Sequence, residues 1–273
     1  MFEIDKAVLL TSILISFSLS EYVTAFEMRF ETARCISFLS AYIVQLSERF
    51  ITKHFLSGRL SYEDVISLKQ IEEMVELFYN SGQFTYTVKF LEKLTGDAFV
   101  LYEKLAGYYE RKGYLLASSK RIAHYEHLLD FVKELLSEES TRRLLPEEEN
   151  AAESITELCR EYLLFDCYLR ENMKTAPSFA KDLSSYKAFL REFYQREEQE
   201  REYLPSYTDF DSKQLAKMTH IEFFHYPVWE KEFDSMADIL NRKTNVPKPV
   251  LFDYWERSKI SKDCRFVVLT GVE

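Results

Sequence analysis

Three residues near the carboxyl terminus could do acid–base chemistry. His220 and Glu222 lie two residues apart in the stretch THIEFFHYPVW, residues 219–229, and His225 follows them. Because side chains alternate across a β-strand, a strand here places His220 and Glu222 on one face and His225 on the other. A histidine beside a carboxylate can transfer protons in a cleft. Polar residues on the solvent face of a strand explain the same pattern, and the sequence offers no nucleophile or third group.

A second pair of histidines, His124 and His127, is three residues apart, and Glu126 lies between them. On a helix this spacing brings both rings near one face, where they could supply two metal ligands. A structural metal site needs four ligands, and neither an H-E-x-x-H motif nor a third ligand is identifiable. Ordinary exposed or half-buried histidines are the alternative. We therefore assign no metal ligand and no catalytic residue.

The stretch IEEMVELFYNSGQF, residues 71–84, is typical of one helix ending and another beginning. Asn80 and Gly82 can both take the left-handed conformation that ends a helix, and Phe84 restarts the apolar pattern. This predicts a corner between two helices. The polar residues around it, Asn80, Gln83 and Tyr86, are candidates for binding or interface contacts, as are the four histidines and Glu222 described above.

Composition and motifs exclude several classes of function. The 273 residues carry a formal net charge of −10, which repels phosphate backbones, so we expect no nucleic-acid partner. The sequence contains no G-x-G-x-x-G or G-x-x-x-x-G-K-[ST] loop for phosphates and no G-x-S-x-G nucleophile elbow. Common nucleotide enzymes and serine hydrolases of those types are therefore not indicated.

The cysteines and the amino terminus predict a cytoplasmic protein. The four cysteines form no C-x-x-C pair, and buried reduced thiols are the simplest interpretation: Cys35, Cys159, Cys167 and Cys264. The apolar stretch at residues 7–20 follows acidic residues, unlike a signal peptide, and is too short to span a bilayer. We interpret it as a buried or partner-facing helix and expect no membrane association.

These residues must be positioned by a mainly helical body. Apolar residues recur at helical spacing from residue 7 to about 202, and Ser61 with Asp64 forms a capping box after a break at Gly58. After Pro205 the sequence becomes rich in β-formers, which predicts a small antiparallel sheet ending in a hairpin. The predicted fold class is mainly α, an antiparallel helical body with a small carboxy-terminal α+β part.

We divide the chain into an N-terminal helical segment, residues 1–57, a helical body, 58–204, and an α+β part, 205–273, packed on the body as one unit. Residues 228–242 are expected to form a helix that leads into the final hairpin. A very charged helix, about residues 184–202, is expected to face solvent along much of its length.

The order of several short motifs resembles a known domain. These are LSYEDVISLKQIEEMVELFYNSGQFTYTVKFLEKL, YEKLAGYYERKG, HYEHLLDF, ELCREYLLFDCYLRENMK, DFDSKQLAKMTHIEFFHY and PVLFDYWERSK. Together they resemble, over about residues 55–270, the carboxy-terminal domain of unknown function appended to bacterial cobalamin-binding radical S-adenosylmethionine proteins.

The resemblance implies an accessory or interaction domain beside a radical S-adenosylmethionine enzyme. In that family the iron–sulfur cluster is held by a C-x-x-x-C-x-x-C triplet and cobalamin by a D-x-H-x-x-G motif, and this sequence has neither. We therefore expect iron–sulfur cluster, S-adenosylmethionine and cobalamin only on a partner or another domain. Residues 1–50 do not resemble the end of the family's barrel, which leaves a stand-alone relative or a chain with an unusual leader as alternatives. An independent ligand-binding protein or enzyme that uses His220, Glu222 and His225 is the alternative function.

Overall fold

The computed structural model describes residues 61–116, 119–142, 150–173, 175–259 and 261–269. The expectations for the N-terminal helical segment, including the apolar helix at 7–20, the break at Gly58 and the burial of Cys35, lie outside the described residues.

The described part of the chain is mainly helical and has one small sheet, so the predicted fold class is confirmed. The helices, numbered in chain order, are α1 (Tyr62–Val75), α2 (Thr85–Thr95), α3 (Ala98–Lys112), α4 (Arg121–Ser137), α5 (Glu139–Arg142), α6 (Ala151–Arg170), α7 (Lys187–Glu200), α8 (Ser212–Met218) and α9 (Met236–Asn241). The strands are β1 (Thr219–Phe224), β2 (Lys248–Arg257) and β3 (Cys264–Val268).

Local signals fix several helix ends, and one of them is predicted from the sequence. Ser61 and Asp64 form the expected capping box at the start of α1. The side chain of Asp97 accepts a hydrogen bond from the backbone N–H of Val100 at the start of α3, and Gly113 ends that helix with a φ of 72°. The cost of leaving terminal backbone groups unpaired is thus avoided locally.

The predicted corner between α1 and α2 is confirmed. A single π-helical turn, Glu76–Asn80, follows α1, and Gly82 takes the left-handed conformation with a φ of 59°. A Cβ atom at Gly82 would lie 2.7 Å from Nη2 of Arg170, which also donates a hydrogen bond to the Gly82 carbonyl. The left-handed backbone conformation therefore favours glycine at this position, and a larger residue would also displace the tip of Arg170.

Helix α6 is the central element of the helical body. Residues 161–169 are all buried, as expected for a helix surrounded on every side. Its ring contacts extend to α2, where Phe90 stacks on Tyr162, and to the sheet, where Phe252 lies 5.5 Å from Phe165 between ring centroids. The body therefore packs around one buried helix.

The sheet is antiparallel with strand order β1-β2-β3, which confirms the predicted terminal hairpin. Alternation along the strands gives it two buried faces. Phe224 and Phe252 belong to the same apolar cluster as the helical body, whereas Ile221 and Phe223 belong to a second cluster with Phe193 of α7. The sheet thus lies between the helical body and a smaller layer that contains α7 and α8.

One helix prediction is corrected, and another is confirmed. Residues 228–242 form a helix only from Met236 to Asn241, because Ser235 is the N-cap and accepts a hydrogen bond from the N–H of Asp238. The charged helix, α7, begins at Lys187 after a 3₁₀ turn, and most of its residues are exposed, as predicted, whereas Phe193 and Tyr194 are buried on the side that faces the sheet. An aromatic contact between Phe189 and Phe223 joins this side of α7 to β1.

Candidate functional site

An open cavity of about 640 Å³ lies where the smaller layer meets the first strand. Helix α7 contributes Leu190 and Tyr194, α8 contributes Ala216, and β1 contributes His220 and Ile221. We call this cavity the β1-edge groove. Its size falls within the range of small-molecule sites, roughly 300–1,000 Å³, and its lining is largely apolar.

The mouth of the β1-edge groove carries positive charge. Arg191 of α7 and Lys213 of α8 line it, and both side chains are exposed. Neither forms an ion pair or a hydrogen bond with another side chain in the described segments. No acidic residue lines the groove in the part of the chain that the structure describes. The groove therefore combines an apolar floor with two cations that no described carboxylate neutralises, in a chain of net charge −10.

Hydroxyl groups deeper in the groove are already committed to the fold. The hydroxyl of Thr219 donates to the carbonyl of Leu215 at 2.8 Å, so its lone pair accepts the proton of Tyr194 at 2.9 Å. Burial raises the pKa of Tyr194 to about 12. These hydroxyls hold α7, α8 and β1 together and are poorly suited to act as nucleophiles.

His220 and Glu222 lie together, as the alternation predicts. Nε2 of His220 is 3.4 Å from Oε2 of Glu222, a long contact for a hydrogen bond. The His220 ring stacks on Tyr168 of α6 with 3.8 Å between centroids. Oε1 of Glu222 accepts the N–H of Phe223. Glu222 is buried, so His220 is the only member of the pair that borders the groove in the described structure.

His225 lies apart from this pair. It follows the end of β1, and five residues of extended chain separate its Cα from that of His220 by roughly 16 Å. Its Nδ1 lies 2.9 Å from the carbonyl oxygen of Thr244, and its backbone N–H donates to Glu161 of α6. The structure thus brings His220 and Glu222 together but places His225 in a different environment.

His124 and His127 form a cluster with a tyrosine. Their Nδ1 atoms lie 3.1 Å and 3.3 Å from the hydroxyl oxygen of Tyr109, and Tyr114 stacks on His127. The phenol has one proton, so it donates to one ring and accepts an N–H from the other. Burial lowers the pKa of both histidines. The rings are thus held by packing and by one shared hydroxyl.

No group of three or more histidine, cysteine, aspartate or glutamate side chains that could hold a metal ion occurs among the described residues. Each helix in those segments is too short or too polar to cross a lipid bilayer.

The three polar residues of the corner have separate local contacts. Asn80 donates to Glu76 at 2.6 Å, and Gln83 donates to the hydroxyl of Tyr125 at 3.2 Å. The ring of Tyr86 packs on Phe165 of α6, and burial raises its pKa to about 12. They contact three different neighbours, so the structure does not assemble them into one cluster.

Buried carboxylates bind the backbone of distant segments. Asp166 of α6 accepts the N–H groups of Tyr86 and Thr87 at 3.1 Å and 2.7 Å, which caps α2 from a helix 80 residues away. Glu161, also on α6, accepts the N–H groups of His225 and Tyr226. Both pairings satisfy backbone donors that would otherwise be buried without a partner.

Glu197 of α7 uses the same device for the loop that follows it. Its Oε2 atom accepts the N–H groups of Tyr203 and Leu204, both at 3.1 Å.

The binding of backbone N–H groups by buried carboxylates was not predicted from the sequence. The available signal was Asp166 within the otherwise apolar run YLLFDCYL, since a carboxylate in such a helix needs buried partners.

The thiols are buried as expected. Cys159, Cys167 and Cys264 are free and buried, and burial raises the pKa of Cys167 and of Cys264 to about 12. Such thiols carry almost no thiolate at neutral pH and are inert packing groups.

Comparison with known proteins gives one match. A family model described as a protein of unknown function, DUF4080, matches residues 55–261. No curated protein matches the chain, and no solved structure matches it. The family match covers well over half of the 273 residues and most of the described helices and strands. The chain therefore belongs to the DUF4080 family of proteins of unknown function.

Proposed function

We propose that this chain is a non-catalytic accessory or interaction domain that associates with a cobalamin-binding radical S-adenosylmethionine enzyme. The order of its short motifs resembles the domain appended to such enzymes over about residues 55–270. The family match over residues 55–261 covers nearly the same span and supports a shared domain, although it names no partner.

The observation that carries a non-catalytic role is the use of the buried carboxylates. Asp166, Glu161 and Glu197 each bind two backbone N–H groups and thereby hold helices and loops in place. Enzymes use carboxylates for acid–base chemistry, whereas these three carboxylates bind backbone groups and stabilise the fold. A rigid scaffold that presents a surface to a partner accounts for this arrangement.

In this proposal the partner supplies the cofactors. The iron–sulfur cluster, S-adenosylmethionine and cobalamin belong to the partner or to another domain, and both proteins act in the cytoplasm. The accessory domain would close the partner's substrate cleft or recruit a further protein.

The test is co-purification from the native host. The tagged chain, expressed at its natural level under anaerobic conditions, should retain a radical S-adenosylmethionine protein identified by mass spectrometry. Iron and cobalt should co-elute with that partner and be absent from the chain purified alone. Failure to retain any such protein encoded by the same genome would contradict the proposal.

A second candidate function is the binding of a small ligand in the region of His220 and Glu222. The β1-edge groove favours it, because His220 borders a cavity of ligand size. His225 lies outside that groove, so an enzyme that uses all three residues at one site is not favoured. Native mass spectrometry of the chain purified from its host should reveal a bound small molecule that denaturation releases.

A further inference from the structure

We propose that the β1-edge groove binds a small amphipathic organic anion, whose charged group lies between Arg191 and Lys213 and whose apolar body lies on the groove floor. This inference rests on the second proposed function, ligand binding at the groove, and does not require the accessory role. It adds the chemical class of the ligand.

The floor of the groove selects an apolar body. Leu183, Leu190 and Ala216 line it together with Ile221. An apolar surface of this kind gains free energy when a ligand removes it from water, at roughly 25 cal/mol per Å². A ligand without an apolar portion would leave that surface wet and would gain nothing from it.

The mouth of the groove selects a negative charge. Arg191 and Lys213 are exposed, and no carboxylate in the described segments pairs with either of them. Several other cations of the described segments have a carboxylate partner, as Lys243 has in Glu157 at 2.7 Å. A carboxylate or a phosphate presented to Arg191 can form two parallel charge-assisted hydrogen bonds.

The edge of the sheet adds a hydrogen-bond donor. The N–H of Leu269 donates to the carbonyl of Pro249, so Pro249 and Leu251 direct their backbone groups to β3. Backbone hydrogen bonds alternate between the two sides of a strand, so Phe252 directs its backbone groups to its partner His220 on β1. The next residue of β1, Ile221, then turns its N–H and C=O away from β2. Ile221 lines the groove, and its N–H has no acceptor among the described residues.

The experiment uses the full chain and four defined probes. Isothermal titration calorimetry with decanoate, decyl phosphate and neutral decanol measures whether the groove requires charge, and acetate measures whether it requires the apolar body. We expect saturable binding of decanoate or decyl phosphate, with decanol at least about 10-fold weaker, which corresponds to about 1.4 kcal/mol. The two anions distinguish a carboxylate site from a phosphate site. Acetate should not bind measurably.

Variants locate the site. The double variant Arg191→Ala/Lys213→Ala should weaken binding of the better anion by about 10-fold or more and leave decanol unchanged. The matched control, Lys187→Ala/Lys217→Ala, removes the same charge from α7 and α8 outside the groove and should have little effect. Ala216→Trp, which fills the groove, should abolish binding of all three decyl probes.

The outcomes distinguish a failure of the anion assignment from a failure of ligand binding at the groove. Equal binding of decanol and both anions, or no effect of the Arg191/Lys213 double variant, would overturn the anion assignment while leaving ligand binding at the groove intact. Unchanged binding to a folded Ala216→Trp variant, or no binding of any decyl probe, would overturn the groove as a ligand site.

Discussion

The interaction of Asp166 with α2 gives the most direct test of how the fold is held together. The side chain of the N-cap residue of α2 accepts no hydrogen bond from the first turn of that helix. Asp166 of α6 supplies the missing acceptor to the backbone N–H groups of Tyr86 and Thr87. Asp166 is 1% exposed, so bulk water does not reach the two N–H groups that it binds. Replacing Asp166 with alanine should therefore leave two backbone N–H groups buried without an acceptor.

The expected size of the effect follows from those two groups. Each buried donor left without a partner costs about 1–3 kcal/mol, which gives a total of about 2–6 kcal/mol. Removal of a buried carboxylate offsets part of this loss, because burial raises the pKa of Asp166 to about 7 and thus makes its ionised form costly. We expect a net loss of about 3 kcal/mol, or about 6–12 °C in Tm.

Urea unfolding followed by circular dichroism measures this loss. Asp166→Ala should lower the midpoint without changing the m value, and Asp166→Asn, which keeps one acceptor oxygen, should lose about half as much. Asp209→Ala is the matched control, because Asp209 is exposed and its removal should change stability by less than about 0.5 kcal/mol. If Asp166→Ala unfolds at the same urea concentration as Asp209→Ala, the proposed capping of α2 by α6 is wrong.

Three further predictions use the same measurements. Because the pKa of Asp166 is raised from 3.8 to about 7, its contribution to stability is full below about pH 4 and is lost as the pH rises through 7. Asp166→Asn should therefore flatten the decline in the free energy of unfolding that urea titrations measure between pH 4 and 7. An unchanged decline would show that another group is responsible for it. Gly82→Val should lower the free energy of unfolding by about 1–3 kcal/mol, because valine is strained in the left-handed backbone conformation and displaces the tip of Arg170. Gly107→Ala, within α3 at ordinary φ, should not destabilise the protein. Equal melting temperatures for the two variants would refute this expectation. Lys181→Ala leaves the fully buried Glu161 without its cation and should lower the free energy of unfolding by about 3 kcal/mol. Lys133→Ala, from an exposed ion pair, should lower it by about 0.5 kcal/mol or less. Equal losses of stability in chemical denaturation would contradict this distinction.

Signals that act within a few residues could be predicted from the sequence. The capping box of Ser61 and Asp64 and the left-handed stop at Gly82 are specified by neighbouring residues, and the structure contains both. The alternation that places His220 beside Glu222 is equally local. By contrast, α9 is shorter than predicted because Ser235 competes as an N-cap inside a stretch of helical composition.

Features that join distant segments could not be predicted. Nothing near Asp166 in the sequence specifies that its partners are the N–H groups of residues 86 and 87. The β1-edge groove likewise requires α7 and α8 to pack on β1, and Arg191 and Lys213 resemble ordinary surface cations until that packing is known. Tertiary arrangement, more than residue type, creates this candidate site.

The proposed association with a radical S-adenosylmethionine enzyme is tested most directly by a binding measurement. The purified full chain is immobilised, and each purified radical S-adenosylmethionine protein of the same genome is passed over it under anaerobic conditions. We predict saturable binding to a cobalamin-containing member and none to an unrelated iron–sulfur protein. Absence of saturable binding to every such protein would contradict the proposal.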